Sequence, residues 1–182
     1  MLFRSLAFHN TGGETRFVFG TDVAGNTFGP QANLTDPTFS SSPQLAYDAI
    51  NNVAVVAASS GTVGGPAPQI ALVNLTTGQV TQFTGILGPP PFHQGFINGL
   101  AVDAADQIAV TTTELDFSVE FYDLTTQTGF SVILPGATGQ IQSGTDVEYD
   151  SVNKLFFVAQ SVSSTSLGSS IHVYDKIGRA HV

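Results

Sequence analysis

The stretch DSVNKLFFVA, Asp150 to Ala159, has two counterparts upstream: DAINNVAVVA, Asp48 to Ala57, and DAADQIAVTT, Asp103 to Thr112. Each opens on Asp and places Asn51, Asp106 or Asn153 three residues later. Each then runs into apolar residues from Val53, Ile108 or Leu155. Asp and Asn side chains bond their own backbone and settle a tight reversal. Before each Asp stands a short element of like pattern: LAYD (Leu45 to Asp48), LAVD (Leu100 to Asp103) and VEYD (Val147 to Asp150). The repeated unit is strand, Asx-type turn, strand.

A second block follows each copy: IALVNLTTG (Ile70 to Gly78), VEFYDLTTQ (Val119 to Gln127) and IHVYD (Ile171 to Asp175). It alternates with period two and ends at Asn or Asp, so it too reads as a strand entering a turn. A fourth strand is expected in QVTQF (Gln79 to Phe83) and FSVIL (Phe130 to Leu134). The spacing tests the alignment. From the first Asp to the second Asn or Asp the distances are 26, 20 and 25 residues. The connections 58–69, 113–118 and 160–170 hold 12, 6 and 11, and subtraction leaves 14 in every copy. Within this part of the repeat, all length variation sits in one loop. The period is about 50 residues, since Asn74 to Asp123 is 49 and Asp123 to Asp175 is 52. Four short strands per period of that length mark a β-propeller blade. A worn earlier copy is visible in RFVFGTD, where Asp22 lies 52 residues before Asn74.

Composition agrees. The chain has 182 residues, 42% hydrophobic and only 10% charged, with 19 Gly, 9 Pro and 14 Phe. Such a chain suits short strands joined by turns. Cysteine is absent, which excludes disulfides and thiolate metal sites. Five basic residues against fourteen acidic ones argue against a nucleic-acid partner, because phosphate binding needs Lys and Arg. No apolar run reaches the roughly 18 residues of a membrane span.

The terminal strings MLFRS and KIGRAHV match translations of a common short-read sequencing adapter and its reverse complement. Residues 1–5 and 176–182 are therefore expected to be foreign to the native protein. The remainder divides into the end of a partial blade over 6–37, blades over 38–88 and 89–138, and an incomplete blade over 139–175. The fold class expected is all-β: an incomplete β-propeller of about three to three and a half four-stranded antiparallel blades, a fragment of a longer protein. A propeller that is not closed leaves sheet edges and inter-blade faces exposed.

The repeat resembles the broad propeller group that includes NHL-type, YVTN-type and gluconolactonase-like proteins. The resemblance covers most of residues 6–175. Within FINGLAVD (Phe96 to Asp103), the segment INGL is similar to one in gluconolactonase-like propellers, whose Asn helps hold a divalent cation in the central channel. That resemblance makes Asn98 a candidate metal ligand, with Ca²⁺ or another divalent cation as the cofactor. Hard cations want oxygen donors from several blades, and the next blade offers Asp146 and Glu148. These two acids alternate with Val147 and Tyr149 and so share one side of their strand. Glu148 occupies the slot where the other copies have Ala46 and Ala101. The pattern also departs from that family: Thr145 and Pro43 stand where Asn98 stands, and no counterpart of its Glu ligand or substrate-binding Arg is identifiable.

Asp48, Asp103 and Asp150 recur in every copy, which assigns them to turns and not to catalysis. His172 matches Ala71 and Glu120 and reads as an outward, solvated strand position. There is no G-x-S-x-G elbow. In an up-and-down blade the first and third turns share one face of the disc. The length-variable loops and the connector GILGPPPFHQGF (Gly85 to Phe96) share the other, where binding usually lives. The function expected is a non-catalytic binding or interaction scaffold, with a protein or small-molecule ligand on the variable-loop face. The alternative is a divalent-metal-dependent lactonase. An extracellular or periplasmic location suits the acidic, Ser/Thr/Gly-rich, cysteine-free chain.

Overall fold

The structure, a computed structural model, describes residues 6–11, 14–19, 32–34, 43–58, 69–83, 97–113, 118–134, 142–162 and 169–181. The region around Asp22, the connector 85–96 and the interiors of the variable loops lie outside the described residues. Among the described residues every regular element is a strand. None forms a helix long and apolar enough to cross a membrane.

A three-stranded sheet comes first, with β1 (Leu6–Thr11), β2 (Glu14–Phe19) and β3 (Ala32–Leu34) in that order. Three four-stranded antiparallel sheets follow, here numbered as blades. Blade 1 holds β4 (Gln44–Asp48), β5 (Val53–Ala58), β6 (Gln69–Asn74) and β7 (Val80–Phe83). Blade 2 holds β8 (Ile97–Asp103), β9 (Ile108–Thr113), β10 (Ser118–Asp123) and β11 (Thr128–Ile133). Blade 3 holds β12 (Gln142–Asp150), β13 (Leu155–Val162), β14 (Ser170–Tyr174) and β15 (Ala180–His181). Each strand pairs with its neighbour in sequence, as the all-β expectation requires. The last strand falls within 176–182, the segment whose sequence matches an adapter.

The Asp-led turns take the form the sequence implies. Asp48 Oδ1 accepts from the backbone N–H of Ile50 and of Asn51, both at 3.0 Å. Asp103 does the same with Ala105 and Asp106, and Asp150 with Val152 and Asn153. The last residue of each turn, Asn52, Gln107 or Lys154, has φ of 54°, 58° or 58°. A left-handed residue other than glycine costs about 1–2 kcal/mol. Its recurrence at one repeat position shows that the Asp bonds and the flanking strands together enforce it. The second turn uses the same device: Asn74 Oδ1 accepts from Thr76 and Thr77, and Asp123 Oδ1 from Thr125 and Thr126. Leu75 N–H to Asn52 O and Leu124 N–H to Gln107 O then tie the two turns of a blade together.

The core lies between blades. Val55, Ala57, Ile70 and Phe83 of blade 1 pack with Ile97, Ala109, Tyr122 and Leu124 of blade 2. Val110, Val119, Phe121 and Leu134 of blade 2 pack with Val147, Phe156, Val158 and Tyr174 of blade 3. Phe121 meets Phe156 edge-on, with ring centroids 6.1 Å apart, and Tyr174 at 6.0 Å. Burial explains the continuous apolar runs. A strand covered on both sides needs apolar residues on both faces, and Ala54 to Ala58 are at most 1% exposed. In blade 3 the second strand has one covered face. Phe157, which stands where Val55 and Val110 are fully buried, is 37% exposed.

Candidate functional site

The innermost strands β8 and β12 each carry one extra residue. Ile97 pairs with Thr113 and Gly99 with Thr112, so Asn98 is the bulged residue. Gly144 pairs with Gln160 and Asp146 with Ala159, so Thr145 is bulged at the equivalent place. Bulges of this kind re-aim side chains and are frequent beside functional sites. Blade 1 has Pro43 at that position, and its innermost strand begins only at Gln44. The Asn-Gly pair is therefore a mid-strand feature and not a turn.

The bulge also brings blades 2 and 3 unusually close. A Cβ on Gly99 would lie 2.6 Å from the Val147 nitrogen and 2.8 Å from the Asp146 Cα. A Cβ on Gly144 would lie 2.6 Å from the Thr112 Cβ. Across this seam the Asn98 side-chain N–H donates to the Gly144 carbonyl at 3.0 Å. At the preceding seam Gln44 donates to the Ile97 carbonyl at 3.3 Å. Both acceptors precede their blade's turn Asp by six residues, so a side-chain amide clasps the same carbonyl at successive seams.

Of the three sequence candidates for a metal, Asn98 is thus half-buried at the seam with its amide committed. Asp146 and Glu148 are exposed on β12, on either side of buried Val147. Asp146 Oδ1 accepts from the Val147 N–H at 2.9 Å. The described residues contain no group of three or more His, Asp or Glu placed to hold a metal ion. A cation at this place would draw on the Asn98 carbonyl oxygen, backbone carbonyls and water.

At the opposite end, the turn face, neighbouring blades are stapled. Gln107 of blade 2 donates to Asp48 Oδ2 of blade 1 at 2.7 Å. Asp48 is 1% exposed. Burial alone would raise its pKa, but the Gln107 amide, the Asn51 backbone and side chain and the Ile50 N–H outweigh it. The carboxyl is held below its ordinary value. In blades 1 and 3 the residue three after the Asp is Asn, and its amide bonds the same carboxylate, at 2.8 Å from Asn51 and 2.6 Å from Asn153. Blade 2 has Asp106 there, which cannot donate when ionised. Blade 3 compensates: Lys154 and Lys176 reach Asp106 at 3.7 and 3.1 Å. Burial raises the pKa of the Tyr149 hydroxyl in blade 3, and the nearby Asp103 carboxylate of blade 2 raises it further. No sequence pattern marks Gln107 or Tyr149, because the partner in each case lies in another blade.

These carboxylates set an acid limit. Asp48, Asp123 and Asp150 have lowered pKa values in the fold, Asp123 through the Thr126 and Thr125 N–H groups and Asp150 through Asn153 and Val152. A lowered folded pKa gives stability that is fully present above the unfolded value, near 4, and lost as pH falls through the folded value. Urea midpoints should therefore be flat from about pH 7 to 5 and fall steeply below pH 4. Asp150→Asn should flatten part of that fall. A midpoint unchanged between pH 5 and 3 would contradict this assignment.

Toward the variable-loop end, His172 is not the solvated residue its pattern implies. It is half-buried, with Nε2 2.5 Å from Gln160 Oε1 and 2.9 Å from Ser170 Oγ, and burial lowers its pKa. The equivalent Ala71 and Glu120 are both fully buried, so the position faces the preceding blade. Glu120 receives hydrogen bonds from Ser118 Oγ at 2.7 Å and Thr111 Oγ1 at 3.1 Å. Beside the bulged Thr145, a cavity of about 290 Å³ is lined by Ala159, Gln160, Ser161, Ser169, Ser170 and Ile171.

No protein-family model matches the chain, and no curated protein matches it in sequence. Among solved structures it is similar to a chain in the crystal structure of the nidogen/laminin complex, with a TM-score of 0.57 and 16% identity. That match covers 96% of this chain and 60% of the other. The fold is an incomplete β-propeller. At this identity the likeness carries the architecture alone, and the chain spans about 60% of the length of the structure it matches. Within the propeller, the stapled turn face and the face of bulges and variable loops are the two ends of the disc.

Proposed function

We propose that this propeller segment is a non-catalytic binding scaffold within the NHL-, YVTN- and gluconolactonase-like group, and that it holds a protein or small-molecule ligand on its variable-loop face. The observation that carries this is the contrast between the ends. At the turn end the first turns are uniform in length, and neighbouring blades are cross-linked through Asp48 and Asp106. Between the first Asp and the second Asn or Asp of each blade, every change of length falls at the other end, where the inner strands bulge at Asn98 and Thr145. A rigid frame with variable loops at one end is the arrangement in which loops evolve toward partners. The solved chain of similar fold comes from a protein–protein complex, which accords with this reading.

The bulge at Asn98 is the one feature favouring a divalent-metal lactonase. Calcium separates the two. On the scaffold reading, calorimetric titration of the chain with calcium chloride gives no saturable heat, and simple sugar lactones are hydrolysed no faster than in buffer. Saturable calcium binding lost in both Asn98→Ala and Asp146→Ala, together with calcium-dependent lactone hydrolysis, would establish the enzyme instead.

A further inference from the structure

We draw no further inference here: the strongest candidate, the cavity of about 290 Å³ beside the bulged Thr145 in blade 3, is lined by Ala159 and Ile171 on the face that a following blade covers in blades 1 and 2, and nothing in the structure shows what covers it there.

Discussion

Gly99→Ala should destabilise the chain by roughly 3 kcal/mol, the upper end of what overpacking costs. The added carbon would sit within 3 Å of the Val147 nitrogen and of the Asp146 Cα and carbonyl carbon. All three are backbone atoms of an inner strand that is hydrogen-bonded to β13 and packed against blade 2, so no rotamer change can relieve the contact. The Asn98 clasp to Gly144 would be lost with the same displacement. Gly144→Ala makes the informative comparison. Its clash is with the Cβ and Cγ2 of Thr112, a side chain. Thr112→Gly should restore much of the stability lost in Gly144→Ala, and none of that lost in Gly99→Ala. Equilibrium urea denaturation of the four variants reads both effects. A Gly99→Ala chain within 0.5 kcal/mol of the parent, the usual range of surface changes, would show that the blades do not approach as described.

The blade template was legible in the sequence because its cause is local. Asp48, Asp103 and Asp150 bond N–H groups two and three residues ahead, and a local bond leaves a local signature. The apolar runs of β5 and β9 were legible for a similar reason, since burial of both faces imposes apolar residues on each. The seams were not. Gln107 reaches Asp48 across 59 residues and Asn98 reaches Gly144 across 46, and no periodicity marks such pairs. Asn98-Gly99 illustrates the limit. Asn-Gly is the strongest short turn signal there is, yet here the Asn is a bulge and the Gly a close approach of two backbones. His172 misled for a related reason. Alternation along a strand separates two faces but does not say which one is covered, and in a propeller both can be.

Removing the Asp48 carboxylate should cost about 3 kcal/mol, because it leaves several donors near the buried turn without an acceptor. Those donors are the Ile50 and Asn51 N–H groups, the Asn51 amide and the Gln107 amide from the next blade. Asp150 holds the same place in the template, but it is only half-buried, and its bonds all come from its own turn, from Val152 and Asn153. Asp150→Ala should therefore be distinctly milder than Asp48→Ala, although the two sequences DAIN and DSVN are nearly the same. Gln107→Met isolates the contribution of the seam. Alone it should lose about 1 kcal/mol, and in a cycle with Asp48→Ala the two should couple by about that amount, as side chains in direct contact do. Urea midpoints at pH 7, where these carboxylates are ionised, give all the terms. If Asp48→Ala and Asp150→Ala proved equal, or Gln107 and Asp48 strictly additive, the turns would be independent hairpin ends. The rigid face on which the scaffold reading rests would then have no cross-links to make it rigid.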